Sequence, residues 1–217
     1  LGDQTTGAQN TAVGFKALKY NTTANNNAAV GYEALHVNTT GTQNVAVGYQ
    51  CLDANTTASY NTAVGHNAMT ATTTGFSNAA LGQNSLAGNT TGDGNTAIGY
   101  AALLGNTTQD NNTAVGRVAL EQNTGSGNSA VGSNALTVNT TGGNNTAVGM
   151  DAGKTNTTGD NNTYIGVEAG SYSTGVTTGT RNTFVGNHTI SAATNANDQN
   201  VFGNNVTGIS ASFTFGT

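Results

Sequence analysis

The sequence predicts an all-β chain: a parallel β-solenoid, or β-roll, with coils of about 17 residues. Three observations predict it. Of 217 residues, 33 are Asn, 40 Thr and 31 Gly, while Pro and Trp are absent and only 7% are charged, which is far from the composition of a globular enzyme core. Glycines recur at Gly14, Gly31, Gly48, Gly65, Gly82, Gly99, Gly116, Gly132, Gly149, Gly166, Gly186 and Gly203, a spacing of 17 broken once by 16 and once by 20. A period this constant marks one small unit stacked on itself, and 17 residues are too few for a helix pair or a propeller blade. Each unit also pairs a strand-like phrase, Thr-Ala-Val-Gly-Tyr, with a turn-forming one, Asn-Thr-Thr-Gly. The same strict period, with so little charge and no Pro, argues against disorder.

Taken in chain order, Thr-Ala-Val-Gly-Tyr is read as one short strand, Ala-Leu as the start of a second, and Asn-Thr-Thr-Gly as the corner. The recurrent Gly removes a Cβ where a corner needs unusual dihedrals or another backbone comes close. Alternation along the first strand sends Val13, Val47, Val64 and Ile98 to one side, and Ala12, Ala46, Ala63 and Ala97 to the other with Gly14, Gly48, Gly65 and Gly99. A strand apolar on both faces is covered on both. By size, the branched residues, with Leu18, Leu52 and Leu103, are expected to fill the coil interior, and the Ala/Gly column to meet a second copy of the chain. The two strand columns can also be exchanged, in which case trimming Val64 would loosen the contact between chains instead. A thin coil buries little apolar surface against the entropy of ordering it, so side-by-side copies are expected, with Asn and Thr side chains stacked in hydrogen-bonded columns about 4.8 Å apart. Twelve rungs at that spacing make a stiff rod about 55 to 60 Å long.

Residues 1–170 read as the regular shaft and 171–217 as irregular coils ending in a terminal strand or cap. There, Leu gives way to Gly153 and Gly170, Ala gives way to Tyr164 and Phe184, and an insertion falls around Ser171 to Thr180. The alternating Ile209, Ala211, Phe213 and Phe215 suggest a last strand. The absence of an initial Met suggests a segment of a longer chain.

Phrases such as Asn27-Ala-Ala-Val-Gly-Tyr-Glu-Ala-Leu35, Asn95-Thr-Ala-Ile-Gly-Tyr-Ala-Ala-Leu103 and Asn162-Thr-Tyr-Ile-Gly-Val-Glu-Ala-Gly170 resemble the head repeats of trimeric autotransporter adhesins. They are still more similar to shaft repeats of phage tail fibres, and of fibre-like bacterial surface adhesins that carry a C-terminal intramolecular chaperone of the endosialidase type. The likeness spans residues 7 to about 208. Autotransporter heads repeat in shorter units, so the 17-residue unit favours the tail-fibre branch. The resemblance implies a parallel homotrimer, an extracellular place on a virion or bacterial surface, and a chaperone removed by self-cleavage. The chain stops at Phe215-Gly-Thr217, where such a chaperone would begin.

The chain carries few residues in patterns that support chemistry. Five Lys and Arg lie scattered and the net charge is −5, which leaves no basic patch for nucleic acid. No apolar run is long enough for a membrane helix, so membrane insertion is not expected. His36, His66 and His188 fall in different columns. No nucleophile elbow, carboxylate pair, phosphate loop or calcium repeat occurs, so neither a cofactor, a metal nor an enzyme is expected. Asp151 and Glu168 share a column and are read first as solvated charges, then as a weak cation site. Lys16 and Glu33 read as an ion pair. Cys51 stands where other coils have Ala and reads as a small buried side chain. The column Phe15, Tyr32, Tyr49 and His66 can stack on sugars or on itself. The Asn-x-Thr triplets at Asn21, Asn38, Asn55, Asn89 and Asn106 arise automatically from the corner phrase.

These readings lead to a non-enzymatic fibre shaft, mainly a rigid spacer, which can also serve attachment to a cell-surface glycan or protein. Discrimination of a receptor needs a non-repeating arrangement of anchors, so recognition is expected among Tyr164, Tyr172, Phe184, Phe213 and Phe215. The alternative is an ice-binding solenoid using the pairs Thr22/Thr23, Thr39/Thr40, Thr56/Thr57 and their repeats. Adjacent strand residues point to opposite faces, so only one of each pair could join a flat array.

Overall fold

The computed structural model describes residues 5–171 and 177–207 and the backbone of 213–215. It is a β-solenoid with parallel three-residue strands, and no helix occurs among the described residues. The chain divides into two compact units, 1–111 and 112–217. The first carries β1 (Thr11–Val13), β2 (Ala28–Val30), β3 (Val45–Val47), β4 (Thr62–Val64), β5 (Ala79–Leu81) and β6 (Thr96–Ile98). The second carries β7 (Thr113–Val115), β8 (Ser129–Val131), β9 (Thr146–Val148), β10 (Thr163–Ile165), β11 (Thr183–Val185), β12 (Asn200–Phe202) and β13 (Phe213–Phe215). Within each unit every strand pairs with the next in sequence, without register slip: Ala46 faces Ala63 and Val47 faces Val64.

The corner glycine is needed for two reasons. Its φ lies between 125° and 143° at Gly14, Gly48, Gly132 and their counterparts, where L residues are strained. A Cβ on Gly48 would also come within 2.7 Å of the Gly65 carbonyl carbon.

The expected second strand is absent; the coil has one. After the corner, the backbone enters the left-handed region at alternate residues, as at Glu33 (φ 54°) and Leu35 (φ 49°). Short turns close it, with Asn38 N–H donating to the Leu35 carbonyl at 3.3 Å, while Leu35 N–H reaches the Cys51 carbonyl of the next coil at 3.0 Å. The reason lies in burial. Ala34 and Leu35 are adjacent and both fully buried, whereas a strand would send one of them outward.

Leu18, Leu52 and Leu103 fill the coil interior as expected. The strand columns are the reverse of the assignment by size. Ala46, Ala63 and Ala97 are sealed inside their own coil, so no neighbouring chain can touch them, and Ala12 is half-buried. Val13 (57% exposed), Val47 (37%) and Ile98 (40%) stand on the outside, and Val64 is half-exposed. A 17-residue coil is too narrow to admit a branched strand residue opposite a leucine; Ala is what fits. Gly14, Gly48 and Gly65 are accounted for by their own backbone and the next coil, and Gly99 by its φ of 131°.

Two buried asparagine ladders complete the interior. In the first, each Asn side chain accepts the backbone N–H of its successor and donates to a carbonyl at the far corner: Asn44 Oδ1 accepts from Asn61 N–H at 3.0 Å, and Asn44 Nδ2 donates to the Ala58 carbonyl at 2.8 Å. In the second, Asn38 Nδ2 donates to Asn21 Oδ1 at 3.1 Å and to the Gly41 carbonyl at 2.9 Å. The side-chain amides thus satisfy corner carbonyls that a thin coil cannot pair otherwise.

Of the two departures from the period, the shorter coil keeps both ladders and the longer one keeps the first, Asn182 N–H donating to Asn162 Oδ1 at 2.9 Å, while the sequence has no Asn for the second directly before Thr177, as Asn156 stands before Thr157. The 16-residue coil lacks the second corner Thr: Asn123-Thr124-Gly125 replaces Asn-Thr-Thr-Gly, and Asn123 Nδ2 still reaches the Gly125 carbonyl, at 2.7 Å. The 20-residue coil adds its residues between Ser171 and Thr177, and Thr157 Oγ1 still donates to the Thr177 carbonyl.

Candidate functional site

The strands place one continuous kind of surface outside. On β1 to β6 the outward residues are Thr11, Ala28, Val45, Thr62, Ala79 and Thr96 in one column, and Val13, Val30, Val47, Val64, Leu81 and Ile98 in the other. On β7 to β11 they are Thr113, Ser129, Thr146, Thr163 and Thr183 beside Val115, Val131, Val148, Ile165 and Val185. Neither set contains a charge. Within each unit, apolar side chains repeated along one face of the sheet in this way amount to a patch of the kind that marks contact sites. Sequence reasoning identified both columns but put the wrong one outside.

Beside it, past the corner glycine, the aromatic column is a self-stacked ladder. Phe15, Tyr32, Tyr49 and His66 have ring centroids 5.3, 5.1 and 4.9 Å apart, with interplanar angles of 21°, 8° and 10°. Each inner ring has both faces covered by neighbours, so the ladder offers edges, not platforms, to a sugar.

The corner threonines divide their roles. The first of each pair is tied to the next coil: Thr22 Oγ1 donates to the Thr39 carbonyl, and Thr39 Oγ1 to that of Thr56, each at 3.0 Å. The second, at Thr23, Thr40, Thr57, Thr74 and Thr91, is exposed. This segment is not a strand, so the expected alternation of the pair across opposite faces does not apply.

Of the residues expected to recognise a receptor, the two whose side chains are described do not reach the surface. Tyr164 and Phe184 are fully buried and stack at 5.7 Å inside the coil. Burial pushes the Tyr164 phenol well above its usual range. They are core filling, because the strand position they occupy points inward. Tyr172 and the side chains of Phe213 and Phe215 lie outside the described residues.

Charged groups have local partners. Asp151 accepts from Asn134 Nδ2 at 2.9 Å and lies 3.3 Å from Lys154 Nζ, while Glu168 lies 3.5 Å from His188 Nε2. Lys16 and Glu33 pair at 2.8 Å. Arg181 grips Asp198 with two bonds of 2.7 and 2.8 Å. Among the described residues there is no group of three metal-ligating side chains and no pocket. Cys51 donates to the Ala63 carbonyl at 3.1 Å, and burial pushes its thiol up to about 12. The sequon asparagines Asn21, Asn38, Asn55, Asn89 and Asn106 belong to the second ladder and are fully buried, closed to modification in the folded chain.

Comparison with protein-family models, with curated proteins and with solved structures finds no match to this chain.

Proposed function

We propose that the chain is the non-enzymatic shaft of an extracellular fibre, a tail fibre or surface adhesin, built from parallel in-register copies of itself, three to the assembly. The observation that carries this reading is the uncharged Thr/Val face. A coil whose own interior is closed by Ala, Leu and Asn still leaves Val13, Val47, Leu81 and Ile98 in water. A flat partner that repeats at the rung spacing buries that face rung by rung, and a second copy has that repeat by construction. The shaft acts as a spacer, and attachment to a surface receptor is its second role.

The test is the assembled mass of the whole chain. Sedimentation equilibrium is expected to give three times the 21.6 kDa chain mass. A Val30→Lys/Val47→Lys/Val64→Lys variant is expected to sediment as a single chain while keeping its β spectrum, because three buried charges disfavour the contact and leave the coil interior untouched. A wild-type mass of one chain overturns the assembly, and a variant that assembles normally overturns the face.

A second reading, ice binding, is supported by the same face, whose threonine methyls and hydroxyls recur in register with valine methyls. Ice-recrystallisation assays separate the two. Inhibition by the single-chain wild type supports ice binding, and its absence in an assembled wild type supports the shaft.

A further inference from the structure

A pair of exposed aromatics in the first unit breaks the repeat. Tyr60 is 60% exposed and Phe76 50%. They occupy the last two positions of the corner that precedes the strand, one coil apart. The Phe76 column otherwise holds Ala8, Asn25, Thr42, Ser59, Asp93 and Asp110, and the Tyr60 column Gln9, Asn26, Gln43, Ser77, Gly94 and Asn111. No other ring occurs in either column of this unit. The backbone holds both in place: Tyr60 N–H donates to the Thr42 carbonyl at 3.1 Å, Phe76 N–H to Asp93 Oδ1 at 2.8 Å, and Gly94 N–H to the Phe76 carbonyl at 3.1 Å.

We propose that the Tyr60–Phe76 corner is a saccharide-binding surface for neutral glycans. Along its column each ring is flanked by a short or polar side chain, Gln43 and Ser77 for Tyr60 and Ser59 and Asp93 for Phe76, so no second ring stacks on it along the column as happens in the Phe15–His66 ladder. Open ring faces are platforms for the C–H surface of a pyranose. The hydroxyls of Thr42, Ser59 and Ser77, the Gln43 amide and the Asp93 carboxylate form the hydrogen-bonding rim that a sugar's hydroxyls require. Two rings are too small for a stable protein contact, which buries about 800 Å² per partner, whereas one or two sugar units match them. The charges in these two columns of the unit are Asp93 and Asp110, both acidic, which selects against sialylated and uronic-acid chains. The surface lies within one chain and deepens the attachment role proposed above. Being non-repeating, it meets the requirement for discrimination that the buried Tyr164 and Phe184 do not.

The whole chain is assayed on immobilised neutral hexose and N-acetylhexosamine oligosaccharides, with sialylated and uronic-acid oligosaccharides as controls, and its affinity for the best ligand is measured by calorimetry. Wild type is expected to bind neutral oligosaccharides. Tyr60→Ala/Phe76→Ala is expected to bind at least ten-fold more weakly, with unchanged sedimented mass and thermal midpoint, and Phe15→Ala to bind as wild type. Three results overturn the proposal: no binding to any neutral oligosaccharide, a preference for the acidic ones, or equal binding by the double variant. A fall in sedimented mass in the double variant, whatever it does to binding, overturns it too and assigns the pair to the contact between chains. A wild type that is a single chain yet binds neutral glycans breaks the shaft reading and leaves this one standing.

Discussion

Two regions solve the same interior with opposite choices. In the coils of the first unit the strand contributes Ala and the left-handed turn contributes Leu, as with Ala29 and Leu35, or Ala97 and Leu103, all fully buried. Around β10 the strand contributes Tyr164, and the turns contribute Gly153 and Gly170. A Cβ on Gly153 would lie 2.6 Å from Tyr164 Cδ2 and 2.9 Å from Leu136 Cδ2, and one on Gly170 would lie against the Tyr164 ring and 3.0 Å from Phe184 Cδ2. The strand and turn positions therefore share one space. The backbone is retained, since Gly153 has φ 58° and Leu35 has φ 49°; the side-chain volume is redistributed. What the solenoid specifies at each rung is a filled volume, not a residue at each position.

The largest effects expected from this comparison are at Tyr164 and at Gly153. Leucine there meets a ring already in place, and overpacking is expected to cost about 3 kcal/mol, a fall in Tm of about 6 to 12 °C for a chain of this size. Tyr164→Ala alone leaves a cavity and is expected to cost about 3 to 5 kcal/mol. Combined, Tyr164→Ala/Gly153→Leu fills part of the vacated ring volume with the leucine that the Ala147 coil otherwise lacks, and thermal unfolding should find the double variant more stable than either single one. If the two losses simply add, the shared-volume account fails.

That coupling was also the signal by which the sequence could have placed the columns correctly. The 17-residue period led to the solenoid, and the recurring leucines led to the interior. Alternation along Thr-Ala-Val separates Ala from Val but does not say which side is inside, and size alone pointed the wrong way. Yet Tyr164 replaces Ala where Leu gives way to Gly170 in its own coil and to Gly153 in the coil before, and only residues in one space need compensate each other. The asparagine ladders were half legible: Asn stands at the same two positions coil after coil, while the corner that holds Gln43, Tyr60, Ser77 and Gly94 varies freely. The missing second strand was hidden because an adjacent buried pair such as Ala34 and Leu35 fits a strand start until the left-handed backbone is seen.

The regular coils are not all equal, and a smaller effect follows from the one that lapses. At position 72 the second ladder carries Thr in place of Asn. Thr72 is fully buried, and both its Oγ1 and the Asn55 Oδ1 below it lack a partner. Elsewhere that oxygen accepts the next amide, as Asn38 Oδ1 accepts Asn55 Nδ2 at 2.7 Å. Thr72→Asn restores donor to acceptor and supplies an amide for the corner carbonyl. It is expected to raise stability by about 1 kcal/mol, a Tm gain of about 2 to 4 °C. Asn at this site without a gain in Tm would mean that the rungs are not equivalent in backbone, which would weaken the comparison at its regular end.

The smallest effect lies on the surface of the regular end, where Lys16, Glu33 and Gln50 form a chain across three coils: Lys16 Nζ and Gln50 Nε2 donate to the two Glu33 oxygens at 2.8 and 2.9 Å. The hydrogen bond from Lys16, then that from Gln50, holds the Glu33 carboxyl below its ordinary value of 4.5, and the bond to Glu33 raises Lys16 above 10.5. The two shifts act at opposite ends of the pH scale. A depressed carboxyl contributes stability above 4.5 that is lost as pH falls through its folded value, because the unfolded chain then binds the proton more readily. A raised lysine contributes stability below 10.5 that is lost as pH climbs through its folded value. Both groups are reached by solvent, and the pair is screened by salt. Thermal midpoints of wild type and Glu33→Gln, measured in low salt from about pH 3, below the usual carboxylate range, to about pH 7, well above it, should converge at the acid end and separate toward neutrality, with wild type higher. High salt should close the gap. Curves that stay parallel across the acid range would show that Glu33 contributes packing alone, and that the surface of the regular coils, like their interior, is held by shape rather than charge.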